Sequence, residues 1–216
     1  MTQNIFKSKN TFLFDFDGTL VDTTPAIHAA ANIALEYFGQ PIVTEATINT
    51  LTGRPLSEFF KRLSPNIESA EILQYYRDKY LEIAQNYIKL YPGAIEMLVE
   101  LKARGNKLAI VSTKNKLALF NHLEYFDMVK FFQEFYYFEA VKTPKPDPEG
   151  INLAIEALNS TPAKSIMIGD SSSDLGAARN AGVESVLVSW TGHDKQALVK
   201  EFDPILIESL SLLVQA

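Results

Sequence analysis

The segment DFDGTLVDT places two carboxylates two residues apart, directly after a short apolar run. Because side chains alternate along an extended strand, Asp15 and Asp17 are predicted to point to the same side of the chain. Two like charges at such close range need a cation, a shared proton or separation by the backbone turn. Gly18 permits a sharp turn after the strand, and such a turn exposes backbone N–H groups to an anion. The segment therefore predicts a site for a hard divalent cation and an anionic ligand.

A second acidic segment, IMIGDSSSDLG, carries Asp170 at the end of an apolar run and Asp174 one helical turn later. In an open parallel sheet, ligands bind at the carboxyl ends of the strands, where Asp15 and Asp170 both fall. Asp170 is therefore the stronger candidate for a metal ligand. Asp174 has an ordinary alternative interpretation, because an aspartate at the start of a helix is also a common cap.

Two further segments offer groups that bind phosphate. Ser112 closes the apolar run KLAIVS, and its hydroxyl, that of Thr113 or the N–H groups of the turn can donate to a phosphate oxygen. Lys145 lies in TPKPDPEG, where prolines on both sides stiffen the loop and hold one ammonium in place. The alternatives are a helix cap for Ser112 and a solvated surface lysine for Lys145, so neither residue decides the function by itself.

The elements that must position these residues follow from the spacing of the apolar residues. Six short apolar runs are predicted to be strands, and segments with helical spacing separate most of them. The predicted strands cover residues 11–16, 107–112, 134–139, 165–169, 185–189 and 204–207. Strands that alternate with helices predict an α/β fold, in which a Rossmann-like parallel sheet is covered by helices on both faces to give three layers.

One interval of about ninety residues, between the first two of these strands, contains no convincing strand. Its apolar residues recur at helical spacing, and Gly39, Gly53 and Pro65 interrupt the pattern. The predicted helices cover residues 24–38, 45–51, 55–63 and 68–87, and a further helix, 94–103, follows the turn at Pro92 and Gly93. We expect an all-helical cap, residues 20–89, inserted into an α/β core made of residues 1–19 and 90–216.

Composition limits the classes of function. The 216 residues carry a formal charge of −6, and their 20 Lys and Arg residues are scattered, which argues against a nucleic-acid surface. The absence of cysteine excludes disulfides, zinc–thiolate sites and thiol catalysis. The chain has no apolar run of the roughly 18 residues that a membrane span needs, and the segment MTQNIFKSKN lacks the apolar run of a signal peptide. We expect a soluble, cytoplasmic protein with no nucleic-acid or membrane partner.

Taken in order, four segments resemble the motifs of the haloacid dehalogenase superfamily, and in particular its phosphoglycolate phosphatase-like members with a helical cap. DFDGTLVDT resembles the first motif of the family, Ser112 in IVSTK the second, Lys145 in KPDPE the third and GDSSSD the fourth. The resemblance covers nearly the whole chain. Four motifs in the expected order, with the insertion in the expected place, are far more specific than any one of them.

The resemblance implies a magnesium-dependent phosphatase that works through an aspartyl-phosphate intermediate. Asp15 would be the nucleophile, and Asp17 would protonate the leaving oxygen and then activate the hydrolytic water. Mg²⁺ would be held by the Asp15 carboxylate, the Asp17 backbone carbonyl and Asp170, with Asp174 in support. The carboxylate at Asp17 favours a phosphatase over a dehalogenase, because the dehalogenases of the family lack an acid there.

The resemblance also assigns the phosphate-binding groups and a substrate class. Ser112 and Lys145 would bind the transferring phosphoryl group, with Thr113 and the turn at Gly18 beside them. The expected substrate is a small phosphorylated metabolite, with 2-phosphoglycolate as the best guess, over which the cap closes to exclude water.

Two features leave the substrate open. The turn after Ser112 reads Thr113–Lys114, where many phosphoglycolate phosphatases have Asn–Lys, and this version resembles a pyrophosphatase branch of the subfamily. In the cap, Arg54 offers a bidentate contact to a substrate carboxylate or second phosphate, or is an exposed arginine at the start of a helix. His193 follows a predicted strand and is left without a role.

Several alternatives therefore remain. Inorganic pyrophosphatase and β-phosphoglucomutase-like phosphotransfer use the same core residues as a phosphoglycolate phosphatase. A receiver-type phospho-accepting signalling module is the non-enzyme alternative, although a receiver is about half this length and takes its aspartate from a middle strand. Both a monomer and a homodimer are compatible with the sequence.

Overall fold

The computed structural model describes residues 3–51, 56–65 and 69–215. These residues form eight strands, namely β1 (Thr11–Phe14), β2 (Val21–Asp22), β3 (Lys89–Leu90), β4 (Lys107–Val111), β5 (Glu134–Tyr136), β6 (Ser165–Gly169), β7 (Glu184–Val188) and β8 (Ile205–Ile207). The helices among them are α1 (Gln3–Ser8), α2 (Thr24–Tyr37), α3 (Glu45–Asn49), α4 (Leu56–Leu63), α5 (Ser69–Ile83), α6 (Ala94–Ala103), α7 (Lys116–Tyr125), α8 (Glu149–Ala157), α9 (Ser172–Ala181) and α10 (Lys195–Phe202).

Six of the strands form one parallel sheet in the order β5–β4–β1–β6–β7–β8. The strand order reverses around β1, whose Phe14 lies opposite Ile110 of β4 on one side and Ile168 of β6 on the other. Such a reversal opens a crevice at the carboxyl ends of the central strands, which is where ligands bind in sheets of this kind.

Helices cover both faces of this sheet. Because side chains alternate along β1, Phe12 and Phe14 join one apolar cluster, which includes residues of α6 and α7. Leu13 points the other way, into a second cluster with residues of α8 and α9. The predicted three-layer α/β fold, with a parallel sheet between helices, is confirmed.

Four helices, α2 to α5, lie between β2 and β3, and these two short strands pair antiparallel. Helices α4 and α5 pack on one another through aromatic rings, with centroids 5.1 Å apart for Phe60 and Tyr76. Tyr76 also stacks on Tyr80 of its own helix, with centroids 5.7 Å apart. This is the inserted all-helical cap that the sequence predicted. Its expected boundaries at residues 20 and 89 stay a prediction.

The elements differ from the sequence-based prediction mainly at their ends. The first strand ends at Phe14 rather than Phe16, although the Asp15 N–H still donates to the Ile168 carbonyl at 2.9 Å. The sequence missed α1 and the β2–β3 pair, because six and two residues are too short to show a period. Among the described residues, no helix combines the length and apolar character that crossing a membrane requires.

Candidate active site

The carboxyl ends of three adjacent strands carry the predicted polar residues. Asp15 follows β1, Ser112 follows β4 and Asp170 follows β6, and all three are buried. Since the three strands are parallel neighbours, these residues lie at one edge of the sheet. The crevice predicted from the sequence thus contains both acidic segments and the serine.

Lys145 reaches this edge from the loop before α8. Its Nζ donates to Asp15 Oδ1 at 2.8 Å, to the Val111 carbonyl at 2.7 Å and to Asp174 Oδ1. Burial disfavours the ammonium, but the two adjacent carboxylates outweigh that penalty and raise the pKa of Lys145. The lysine is therefore a fixed cation that holds one oxygen of Asp15, not a solvated surface residue.

Three buried carboxylates meet beside this ammonium. One oxygen from each of Asp15, Asp170 and Asp174 lies within 4.8 Å of the others. Burial raises the pKa of Asp15 to about 7 against the opposing effect of Lys145. Burial, followed by the charges of Asp174 and Asp15, raises the pKa of Asp170 well above its usual range. Three carboxylates with one ammonium leave an excess of buried negative charge, and these oxygen donors fit a hard divalent cation such as Mg²⁺.

Two glycines make room for the cluster. Gly18 has a φ of +78°, and a Cβ at this position would lie 2.3 Å from Asp170 Oδ2. A Cβ at Gly169 would lie 2.3 Å from the side chain of Asp174. Real side chains do not approach this closely, so the carboxylates occupy their positions only because both neighbours lack a Cβ.

Asp174 acts both as a helix cap and as part of the cluster. Its Oδ2 accepts from the Ser171 hydroxyl at 2.6 Å and from the N–H groups of Ser171 and Asp170 at 3.0 and 3.2 Å. Its Oδ1 is left to accept from Lys145. The two interpretations that the sequence left open are compatible, since each oxygen serves one of them.

Asp17 forms an ion pair with a second lysine, Lys114. The Lys114 Nζ lies 2.9 Å from Oδ1 and 3.2 Å from Oδ2, and the Thr23 hydroxyl donates to Oδ1 at 2.7 Å. Burial favours the protonated carboxyl, but the charge and hydrogen bonds of Lys114 and the hydrogen bond of Thr23 outweigh it and lower the pKa of Asp17. The turn after β1 thus separates the two carboxylates of DFDGTL and gives each one a different lysine.

Sequence reasoning overlooked Lys114. Its N–H donates to Ser112 Oγ at 3.2 Å, and the next residue, Asn115, caps α7 through a 2.9 Å bond from the Ala118 N–H. Its ammonium also donates to the Tyr80 hydroxyl of α5 at 2.9 Å. The segment STK contained a signal for this position. Lys114 follows two residues after the predicted strand 107–112, which places it at the same edge of the sheet as the carboxylates.

The buried ring of His122 packs against Tyr80, whose hydroxyl accepts from Lys114. Within the described ranges, neither of its ring nitrogens has a hydrogen-bond partner, and the ring centroid lies 6.1 Å from that of Phe16 and 5.5 Å from that of Tyr80. Burial, aided by the charge of Lys114, lowers the pKa of His122 to about 3. His122 therefore packs against Tyr80 as a neutral ring.

The remaining predicted residues that the structure describes lie nearby. Thr113 lines the cavity between the sheet edge and the cap. The His193 N–H donates to the Thr191 hydroxyl at 3.0 Å, and that hydroxyl donates to the Asp170 carbonyl at 2.6 Å. His193 is therefore linked to Asp170 through Thr191. Arg54 lies outside the described residues.

The cavity has a volume of about 290 Å³ and joins the carboxylates to the cap. Its core side includes Asp15, Asp17, Thr113, Lys114, Asn115, Leu117 and Ala118. Its cap side is formed by apolar and polar residues of α4 and α5, including Phe59, Gln74, Tyr76, Arg77, Asp78, Tyr80 and Leu81. A small ligand between the two would touch the carboxylates at one end and the cap at the other.

The sequence profile of the haloacid dehalogenase-like hydrolases matches residues 12–188, which include all four polar segments. The chain belongs to the haloacid dehalogenase-like hydrolase family. The family membership argues against a receiver-type signalling module.

Individual relatives match almost end to end. Pyrophosphatase PpaX from Listeria monocytogenes is 33% identical over 205 residues, which cover 94% of this chain and 94% of that protein. Pyrophosphatase PpaX from Bacillus velezensis is 32% identical over 212 residues, or 96% of each chain. A solved haloacid dehalogenase-like hydrolase from Streptococcus pneumoniae superposes with a TM-score of 0.83 at 26% identity, over 94% of this chain and 96% of that one.

Proposed function

We propose that this protein is a magnesium-dependent phosphohydrolase that transfers the phosphoryl group of a small metabolite to Asp15 and then to water. The observation that carries the proposal is the buried arrangement of Asp15, which lies between the Lys145 ammonium and the carboxylates of Asp170 and Asp174. Asp15, Asp170 and the backbone carbonyl of Asp17 would hold Mg²⁺, with Asp174 in support. When bound, the cation would neutralise phosphoryl oxygens and favour the ionised form of Asp15.

In the first step, a carboxylate oxygen of Asp15 forms a bond to phosphorus. The bond from phosphorus to the leaving oxygen breaks, and its electron pair stays on that oxygen. Lys145 fixes the orientation of the nucleophile by holding its Oδ1, as in-line transfer requires. Ser112 and Thr113 would donate their hydroxyls to the transferring group, whereas the Gly18 N–H already donates to the Val21 carbonyl at 2.9 Å.

In the second step, Asp17 takes a proton from a water molecule as the water oxygen attacks phosphorus. The bond between phosphorus and Asp15 breaks, which restores the free carboxylate and releases inorganic phosphate. The lowered pKa of Asp17 supports this role, because a general base must be ionised before it acts. To act as an acid in the first step, Asp17 would have to gain a proton despite the adjacent Lys114.

The lowered pKa of Asp17 also favours inorganic pyrophosphate as the substrate. Phosphate is a stable anion at neutral pH, so it leaves without a strong acid, whereas the alkoxide of a phosphate ester needs a proton. An ionised Asp17 suits the first case better. Two relatives that are at least 32% identical to this chain are named pyrophosphatases, which points the same way. We therefore rank pyrophosphate above 2-phosphoglycolate, and place the reaction in the cytoplasm of a cell, in a monomer or homodimer.

A phosphate-release screen tests the proposal. Pyrophosphate, 2-phosphoglycolate and β-glucose 1-phosphate are each incubated with the protein, with Mg²⁺ or with excess EDTA. We expect release from pyrophosphate at the highest kcat/KM, with loss of activity in EDTA. Faster release from 2-phosphoglycolate would overturn the choice of substrate, and conversion of the sugar phosphate without release would indicate a mutase. Release that is unaffected by EDTA would contradict the metal-dependent mechanism.

A further inference from the structure

Arg77 contributes a cation to the cap side of the cavity. It lies on α5 and lines the same cavity as Asp15 and Asp17. In the part of the chain that the structure describes, its guanidinium makes no hydrogen bond or ion pair. An arginine that faces a cavity without a partner presents its five donors to whatever enters.

The other charged residues that line the cavity already have partners. Asp17 is paired with Lys114. Asp78 accepts from Gln74 at 2.9 Å, and Glu139 accepts from the backbone N–H of Lys116 at 2.9 Å. Among the described residues that line the cavity, Arg77 is therefore the cation whose charge a ligand would balance.

The position of Arg77 on α5 places it near the reacting groups. Tyr80 follows three residues later on the same helix face, where Cβ atoms are separated by about 5–6 Å. The Tyr80 hydroxyl accepts from the Lys114 ammonium, which in turn holds Asp17. Arg77 thus lies about one helical turn from Tyr80, which contacts Lys114 beside Asp17.

We propose that Arg77 binds the second anionic group of the substrate, namely the phosphate or carboxylate that is not transferred to Asp15. The inference rests on the proposed function, since it takes the transferred group to lie at Asp15. Arginine suits this role because its planar fork makes two parallel hydrogen bonds to a phosphate or carboxylate. Pyrophosphate and 2-phosphoglycolate both carry such a group, whereas p-nitrophenyl phosphate does not.

Kinetics of Arg77→Gln with three substrates test the role. We expect kcat/KM for pyrophosphate and for 2-phosphoglycolate to fall about tenfold, mainly through KM, because charge-assisted contacts to the leaving part are lost. The value for p-nitrophenyl phosphate should change less than twofold. Arg77→Lys should recover part of the loss. The matched control is Lys79→Gln, which removes a cation from the same helix where it pairs with Glu82 and does not line the cavity.

A binding measurement separates this inference from the proposed function. Calorimetric titration in Mg²⁺ buffer compares methylenediphosphonate, which carries a second anionic group and is not hydrolysed, with methylphosphonate. The native protein should bind the diphosphonate more tightly, and Arg77→Gln should reduce that preference about tenfold. An equal loss for both ligands, an equal loss for all three substrates, or no loss at all would overturn the role of Arg77. If the native protein hydrolyses nothing, the proposed function fails, while the titration still decides the anion site.

Discussion

The Lys114 ammonium lies 2.9 Å from Asp17 Oδ1 and the same distance from the Tyr80 hydroxyl of the cap. Only 6% of the Lys114 side chain is exposed, so this contact is weakly screened by solvent. One buried lysine therefore links the proposed general base to helix α5.

Replacing Lys114 with Met should shift the pH dependence of hydrolysis. Without the adjacent ammonium, the pKa of Asp17 rises, and the ionised base becomes abundant only at higher pH. We expect the acidic limb of the pH profile of kcat/KM for pyrophosphate to move upward by about one pH unit or more. The control is Lys116→Met, because the Lys116 ammonium lies 5.7 Å from the Tyr137 ring and away from Asp17. If the acidic limb of the pH profile does not move in Lys114→Met, then Lys114 does not set the pKa of Asp17.

Gly18→Ala should damage the metal site more than the fold. The new methyl group would lie 2.3 Å from Asp170 Oδ2, so the carboxylate must move. Gly105→Ala is the matched control, since Gly105 has a similar φ of +75° with nothing within 4 Å of the added Cβ. Gly105→Ala should lose about 1–2 kcal/mol of stability from backbone strain, and Gly18→Ala should lose more, because its methyl group also displaces Asp170. Only Gly18→Ala should lose the rise in Tm that Mg²⁺ produces in the native protein, and an undiminished rise would contradict the close packing.

The stabilisation by Mg²⁺ should grow with pH. The pKa of Asp15 is raised from 3.8 to about 7, so between these values the metal-free native state binds more protons than the unfolded chain. The contribution of Asp15 to metal-free stability thus falls as pH rises through this window and is level above it. Mg²⁺ must displace that proton at low pH but not above pH 7.

Thermal unfolding with and without Mg²⁺ at pH 5.5, 6.5, 7.5 and 8.5 measures this linkage. The rise in Tm caused by Mg²⁺ should increase with pH over this range, because the pKa values of both Asp15 and Asp170 are raised. A group that titrates equally with and without Mg²⁺, such as His122, affects both Tm values alike and therefore does not change the rise in Tm. The control variant Asp15→Asn should show a smaller rise with a weaker pH dependence. A rise that is constant across this range would contradict a proton-linked carboxylate cluster.

The sequence predicted the parts of the molecule that depend on local pattern. Apolar runs located all six strands of the central sheet, because buried parallel strands are nearly continuous in apolar residues. Since the site lies where such strands end, Asp15, Ser112 and Asp170 could be placed at one edge without any knowledge of their contacts. The prolines around Lys145 left a fixed or a solvated lysine open, and its contacts with Asp15 and Asp174 decide for the fixed one.

The contacts that the sequence could not predict join residues far apart in the chain. Lys114 and Asp17 are separated by 97 positions, and nothing in the segment STK shows which carboxylate its lysine meets. The role of Arg77 depends on how α5 packs over the sheet, while amphipathic spacing indicates only that some face of the helix is buried. Pairwise distances of this kind follow from tertiary packing, which local pattern leaves open.

The most direct measurement is detection of a phosphoryl group on Asp15. Asp17→Asn should slow hydrolysis of the intermediate, so that acid-quenched protein incubated with pyrophosphate and Mg²⁺ accumulates one phosphoryl group per chain. Mass spectrometry of the proteolysed protein should locate that group on Asp15. The double variant Asp15→Asn, Asp17→Asn should remain unmodified. Absence of a phosphoryl group on Asp15, together with hydrolysis by Asp15→Asn at the native rate, would contradict the account.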